Sequence, residues 1–304
     1  MYIPRVSIGL PVYNGERYLR SALDSILQQD YADFELIICD NASTDATQEI
    51  CREFASKDSR IRYFRNDTNI GASGNYNRVF ELARGEFFKW ASHDDEFHQS
   101  LVRRCLKVFE QASPSAVLVF SKAAIIDEAG RMLDLSPDTI KSPAVRPFLR
   151  LGSLLRHAGY AHPLWGLIKS DALRRTRLMG NLEADHILLA ELALLGECIE
   201  IPEVLYRERR HAGCAMNINR TPQELLAWHD PNGRHGKIRL PHRLEWRLEY
   251  IKAIRHVPLS KIDRLLCYYV VWTVPVWRCL LRWTGPLRHR IGLNRTKQVR
   301  QLIR

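Results

Sequence analysis

Apolar and polar positions alternate in regular blocks over the first 120 residues. VSIGLPVY (6–13) is an apolar, β-branched run that stops at Asn14-Gly15, which predicts a strand and a turn. Tyr18, Leu19, Ala22, Leu23, Ile26 and Leu27 then recur at spacings of three and four, marking one helix face. FELIICD (34–40) is a short apolar run ending in an acid, as expected of a strand buried on both faces of a parallel sheet. Asn41–Asp45 supplies a loop and an N-cap for the helix ATQEICREFASK. IRYFRN predicts a third strand, Asn69–Gly74 a turn, NYNRVFELA a helix stopped at Gly85, and EFFKWAS a fourth strand ending at His93-Asp94-Asp95-Glu96. Strand–helix units of about 20–30 residues predict an α/β domain with a parallel sheet.

Beyond residue 100 the order is less regular. LVRRCLKVFEQ predicts a helix, AVLVFSKAAIID a strand with a turn at Glu128–Gly130, 134–147 a breaker-rich loop, and ADHILLAELALLGE a helix closed by Gly196. Residues 241–256 form a basic helix pattern with Leu244, Leu248 and Ile251 on one side. LLCYYVVWTVPVW (265–277) has 13 residues without a charge, against the roughly 20 that a spanning helix needs. Pro275 interrupts it, and Arg278, Arg282, Arg288 and Arg290 follow. This mixture fits a helix lying in a membrane interface, or one packed on protein.

Charge sharpens that division. Residues 1–204 hold 24 Lys and Arg against 28 Asp and Glu, whereas 205–304 hold 21 against 6, a net of +15. A basic end on a slightly acidic body predicts an anionic surface or ligand near the C-terminal third. With 46% hydrophobic and 26% charged residues the chain has the composition of a folded protein. The first residues carry no basic lead and apolar core, so no signal peptide is expected. Seven cysteines with no CxxC unit predict reduced thiols and a cytoplasmic setting, Cys39 being a small core residue.

Ligands of open α/β sheets bind beyond the carboxyl ends of the strands. Here those loops hold Pro11–Asn14, Asp40, Asn69–Gly71 and Asp94-Asp95. Adjacent carboxylates suit a hard cation held against a phosphate; an isolated pair reads better as a cap for the helix near Ser100. The whole set resembles glycosyltransferase family 2 on the GT-A fold, over about 4–215. The motifs are VSIGLPVYNGERYLRSALDSILQQDYADFELIICDNASTD, NIGASGNYN, GEFFKWASHDDE and EADHILLAELALLGECIEIPEVLYRERRH.

The resemblance implies a Rossmann-like, mixed but mostly parallel sheet flanked by helices, over 1–215, with 1–99 binding a nucleotide sugar and 100–215 facing the acceptor. A helical basic extension, 216–304, follows. Tyr13 matches the position that packs on the base and Asp40 the one that hydrogen-bonds it, UDP-sugars being favoured; Pro11, Asn14, Glu16 and Gly71 share those loops. Asp94 is expected near the ribose or sugar and Asp95 on a divalent cation, Mn²⁺ or Mg²⁺. Asp185 matches the catalytic base of an inverting transfer, with Glu183 as the alternative. His211 matches a position near metal or diphosphate, and Arg209 and Arg210 are cations for phosphate.

The implied reaction moves a sugar to a glycan or lipid-linked acceptor in cell-surface polysaccharide or glycolipid synthesis. Peripheral contact with the inner face of the cell membrane is expected, and nucleic acid is not. A nucleotidyltransferase should show a glycine-rich basic loop after the first strand, which PVYNGERYL does not provide. A nucleic-acid-binding protein is disfavoured because the positive charge lies away from the loop cluster.

Overall fold

The structure is a computed structural model that describes residues 3–136, 145–157, 159, 161–180, 184–214, 221–231, 233 and 241–273. Strand β1 (Val6–Val12) is buried throughout and pairs in parallel with β2 (Phe34–Asp40) and β4 (Phe87–Trp90), while β2 pairs in parallel with β3 (Ile61–Arg65). The register sets Val12 beside Asp40 and Asp40 beside Arg65, so the carboxyl ends of these strands form one line. Helices α1 (Glu16–Leu27), α2 (Thr47–Lys57) and α3 (Gly71–Glu81) join them, and α4 is Leu101–Gln111.

The second half of the sheet reverses direction. Strand β8 (Leu167–Lys169) runs antiparallel to both β4 and β6 (Ala116–Ile126), and β6 pairs in parallel with β9 (Glu197–Arg209). The short β5 (Glu96–Phe97) lies antiparallel on β9, and β7 (Met132–Leu135) forms a hairpin with β6. The nine-stranded sheet is ordered β3-β2-β1-β4-β8-β6-β9-β5, with β7 on β6. It is mixed, with its parallel ladders carrying most of the pairing, as the fold class expected. Between Ile201 and Val204 the β9 ladder skips two residues. Pro202 sits in that bulge, where its missing N–H costs the ladder nothing.

Alternation of side chains divides the core. Ile8, Leu10, Leu36 and Ile38 face α1, α2 and α4, whereas Ile37, Cys39, Phe88 and Trp90 face the other layer. That layer contains α3, α5 (Pro147–His157), α7 (Ala184–Leu195), α9 (His242–His256) and α10, a helix over 261–273. Helix α7 is apolar nearly all round and runs through the interior, as such a helix must. Each fully buried Leu or Ile there stabilises the fold by about 1.5–3 kcal/mol. Its one interior acid, Glu191, is fully buried and is neutralised by Arg177 from the end of α6 (Ser170–Arg174).

Several expectations are corrected. The helix expected after a turn over 69–74 begins at Gly71, because Asn69 Oδ1 accepts the Gly71 N–H (2.8 Å) and Asn41 Oδ1 that of Ile70 (3.0 Å). The start of the expected 134–147 loop belongs to β7, and 137–144 lie outside the described residues. The buried face of α9 is Tyr250, Ala253 and Ile254, with Leu248 exposed, not the expected Leu244–Leu248–Ile251 stripe. Residues 242–273 join the main core through Tyr250, Ile254, Cys267 and Val271, and the expected boundary at 215–216 lies outside the described residues. No helix among the described residues is long and apolar enough to cross a membrane.

Candidate active site

Two loops at the ends of β1 and β2 are laced together. Asn14 (φ 50°) donates its N–H to Ser43 Oγ (2.9 Å) and accepts the Thr44 N–H on Oδ1 (2.9 Å). Gly15 donates to Thr47 Oγ1 (2.8 Å), and Glu16 Oε2 accepts from the Ala46 N–H (2.9 Å). A Cβ on Gly15 would lie 2.7 Å from the His93 ring, so glycine lets the first loop close on the Asp94 loop. Pro11 is buried in β1 opposite Cys39, and Tyr13 projects outward with 43% of its surface exposed.

Asp40, expected to hydrogen-bond the base, ends β2 beside Arg65 of β3. It is fully buried, and its carboxylate accepts the Ser43 N–H (2.8 Å), the Tyr63 hydroxyl (2.9 Å) and an Arg65 N–H. Three of roughly four acceptor sites are thereby filled. Gly71 (φ +80°) adopts a backbone conformation that side chains disfavour. A Cβ there would meet the His229 carbonyl at 2.3 Å, where α8 (Pro222–His229) closes on the start of α3.

The paired acids have separate environments. Asp94 Oδ2 lies 2.9 Å from His211 Nε2, and Ser92 donates to its other oxygen. Burial pushes the Asp94 carboxyl up, but the His93 charge and the bonds from His211 and Ser92 outweigh it, so it stays ionised. Asp95 is buried at 4% exposure, with Oδ2 accepting from the Tyr206 hydroxyl (2.6 Å) and Oδ1 from the Arg209 N–H (2.9 Å). Burial and the Asp94 charge raise its pKa well above the usual range. Asp95, expected on the cation, has both oxygens bonded to β9, whereas Asp94 bonds Ser92 and His211.

Arg209 is a clamp rather than a phosphate ligand. Its guanidinium donates to the Asp94, Asp127 and Glu128 carbonyls (2.9–3.1 Å) and to Glu96, and lies 5.0 Å over the Tyr18 ring. Arg210 pairs with Glu208 (2.8 Å), whose other oxygen contacts the buried His162. Tyr18 in turn packs on His211 with ring centroids 4.8 Å apart.

Asp185 sits in the first turn of α7 with its side chain about half exposed (49%), accepting the His186 N–H at 2.8 Å. Burial raises its pKa, but the His186 bond and the charges of His186 and His229 prevail, leaving it below the ordinary carboxylate value. Glu183 lies outside the described residues. Tyr76 of α3 packs beside Trp90, whose indole N–H donates to its carbonyl (3.0 Å). Burial, then the charges of Asp94, Asp95 and Asp185, all raise its hydroxyl pKa, and its ring lies against Trp90 (6.4 Å) and Trp165 (6.3 Å).

The sequence reading missed Tyr76, Tyr206 and Lys89. Tyr206 is stacked between Phe97 (5.6 Å) and Trp165 (5.9 Å). Lys89 is buried under Phe97 (4.0 Å to the ring), donating to the Trp90 and Trp165 carbonyls. A lysine inside the apolar run EFFKWAS was the available signal. No cluster of three or more metal-ligating side chains occurs among the described residues. One imidazole nitrogen and one carboxylate still form a donor set that fits Mn²⁺ or Mg²⁺, whose other positions go to phosphate and water.

Comparison with known proteins converges on one family. Residues 7–176 match the family model described as glycosyl transferase family 2, a span that ends before Asp185, Arg210 and His211. An uncharacterized glycosyltransferase of Rickettsia felis is 30% identical over 189 residues, covering 58% of this chain. This chain spans only 30% of that relative's length. Among solved structures, S. aureus TarS 1-349 in complex with UDP-GlcNAc aligns with TM-score 0.54 and 18% identity, covering 89% of this chain and 90% of that one. Mannosyltransferase PcManGT from Pyrobaculum calidifontis, in complex with GDP-Man and Mn²⁺, aligns with TM-score 0.53 and 18% identity, covering 99% and 84%.

Proposed function

The chain belongs to glycosyltransferase family 2, and on that premise we propose that it transfers a sugar, with inversion, from a nucleoside diphosphate donor to an acceptor hydroxyl. The observation that carries this reading is the Asp94–His211 pair (2.9 Å) beyond the end of β4, together with the half-exposed carboxylate of Asp185 in the first turn of α7. An ion-binding pair and a separate ionised carboxylate are the two parts such a transfer requires.

The exposed Tyr13 ring offers a stacking face to the base. Asp40, through Ser43 and Asn14, fixes the loop that presents it. Asp185 takes the acceptor proton as that oxygen forms its bond to the anomeric carbon and the bond to the diphosphate breaks, releasing nucleoside diphosphate. Arg210, paired with Glu208, is the cation we assign to phosphate. A Mn²⁺ or Mg²⁺ ion held by Asp94 and His211 would supply Lewis-acid neutralisation of the leaving diphosphate. TarS and PcManGT, in complex with UDP-GlcNAc and with GDP-Man, support a nucleotide-sugar donor, and we favour UDP-sugars. The acceptor is a glycan or a lipid-linked saccharide of a cell-surface polymer or glycolipid, met at the inner face of the membrane.

The test is a panel of UDP- and GDP-sugars incubated with the full chain and Mn²⁺, with nucleoside diphosphate release as readout. Release from at least one UDP-sugar that stops on chelation is expected. Release from GDP-sugars only overturns the base preference, and no release from any donor overturns the assignment.

A further inference from the structure

We propose that the outward face of α10 is a docking surface for an anionic lipid layer, a surface that deepens the reading above by bringing the enzyme to a lipid-linked acceptor. Helix α10 has two unlike apolar faces. Cys267 and Val271 are fully buried in the core. Ile262, Leu265, Tyr269 and Trp272 are 65, 67, 67 and 46% exposed. At about 100° per residue these four positions fall within about 80° of arc, opposite the buried pair. They form one continuous stripe, not scattered surface residues.

Burial in the fold accounts for Cys267 and Val271 but leaves the stripe bare. Its composition, aliphatic with one Tyr and one Trp, is that of helices lying in the headgroup region with their apolar side among the acyl chains. The charge around it selects the partner. Arg247 of α9 stands 4.8 Å from the Trp272 ring, and Lys261 begins the helix beside Ile262. Arg255 is exposed on α9, where Lys252 is paired with Glu249 (2.6 Å), and the one acid within α10, Asp263, is already paired with Arg146. The sequence after Thr273 adds eight Lys and Arg and no acid. An apolar stripe rimmed by cations and followed by an acid-free basic stretch complements anionic headgroups, whereas a second copy of the chain would bring like charge against like. Cations near such a surface fall off in effect within a Debye length of about 8 Å at physiological salt.

The experiment is cosedimentation of the full chain with vesicles of phosphatidylglycerol or of phosphatidylcholine. The L265S/Y269S double variant is run in parallel, with nucleoside diphosphate binding as the control for folding and for the active site. Both positions are exposed, so the fold should persist. The full chain is expected on phosphatidylglycerol and not on phosphatidylcholine, with affinity falling about tenfold or more in the variant and weakening in salt. Equal binding by variant and parent, or none by the parent at low salt, overturns the proposal. A dimer that dissociates in the variant would also overturn it, giving the face to a second copy. In each case intact donor binding leaves the transferase reading standing, and its loss in the parent would count against that reading alone.

Discussion

The Tyr206 hydroxyl on β9 donates a 2.6 Å hydrogen bond to Asp95 at the start of β5, joining residues 111 positions apart. With the Arg209 N–H on its other oxygen, Asp95 holds the acidic loop to the last strand of the sheet. Tyr206→Phe removes the donor without changing the ring stack and leaves a buried carboxylate oxygen unsatisfied. Stability should fall by about 1–3 kcal/mol, read from urea midpoints. An unchanged midpoint would mean that the loop is held by other contacts.

Asp94 and Asp95 should separate when substituted. Asp94→Ala is expected to abolish the Mn²⁺-dependent gain in nucleoside diphosphate affinity, because Asp94 faces His211. Asp95→Asn should keep that gain in whatever fraction remains folded. Calorimetric titration with and without Mn²⁺ decides between them; a full ion response in Asp94→Ala would return the ion to Asp95.

For Asp185→Asn the amide keeps the shape but cannot take a proton. Transfer should drop by about two to four orders of magnitude, the scale of a lost general base, while donor binding stays close to the parent. Since His186 and His229 hold the Asp185 pKa below its ordinary value, the parent base remains ionised into mildly acidic solution. Wild-type transfer rates in the variant would move the role to Glu183.

Lys89 gives a stability signature with a definite sign. Burial pushes its pKa down from 10.5 to about 7. Between those values the unfolded chain binds more protons than the folded one, so stability rises with pH across that window. Lys89→Met should flatten the rise. Unfolding midpoints measured from pH 7 to 10 provide the check, and equal slopes would show that Lys89 is not the group responsible.

Local pattern carries the first half of the molecule well. FELIICD and LVRRCLKVFEQ coincide with β2 and α4 residue for residue, because each is a single element whose burial follows from its own periodicity. What escapes is set by partners far along the chain. Strand β5 has two residues and exists only because β9 is there to pair with it. The differing environments of Asp94 and Asp95 arise from His211 and Tyr206, which no spacing within SHDDE reveals. On α9, Tyr250 rather than Leu248 turns inward because α7 and α10 lie on that side. Asp40 showed its chemistry but not that Tyr63 and Arg65 of β3 would occupy it.

The 117 positions separating Asp94 from His211 also order events during synthesis. Chains leave the ribosome at about 5–20 residues per second and domains begin folding from the N-terminus. Strands β1 to β4, already adjacent in the sheet, are available to pair while β9 has yet to be made. Asp94 is therefore made several seconds before the His211 that it is bonded to in the finished fold. A product released from the ribosome before residue 211 would carry Asp94 without the histidine it is bonded to here.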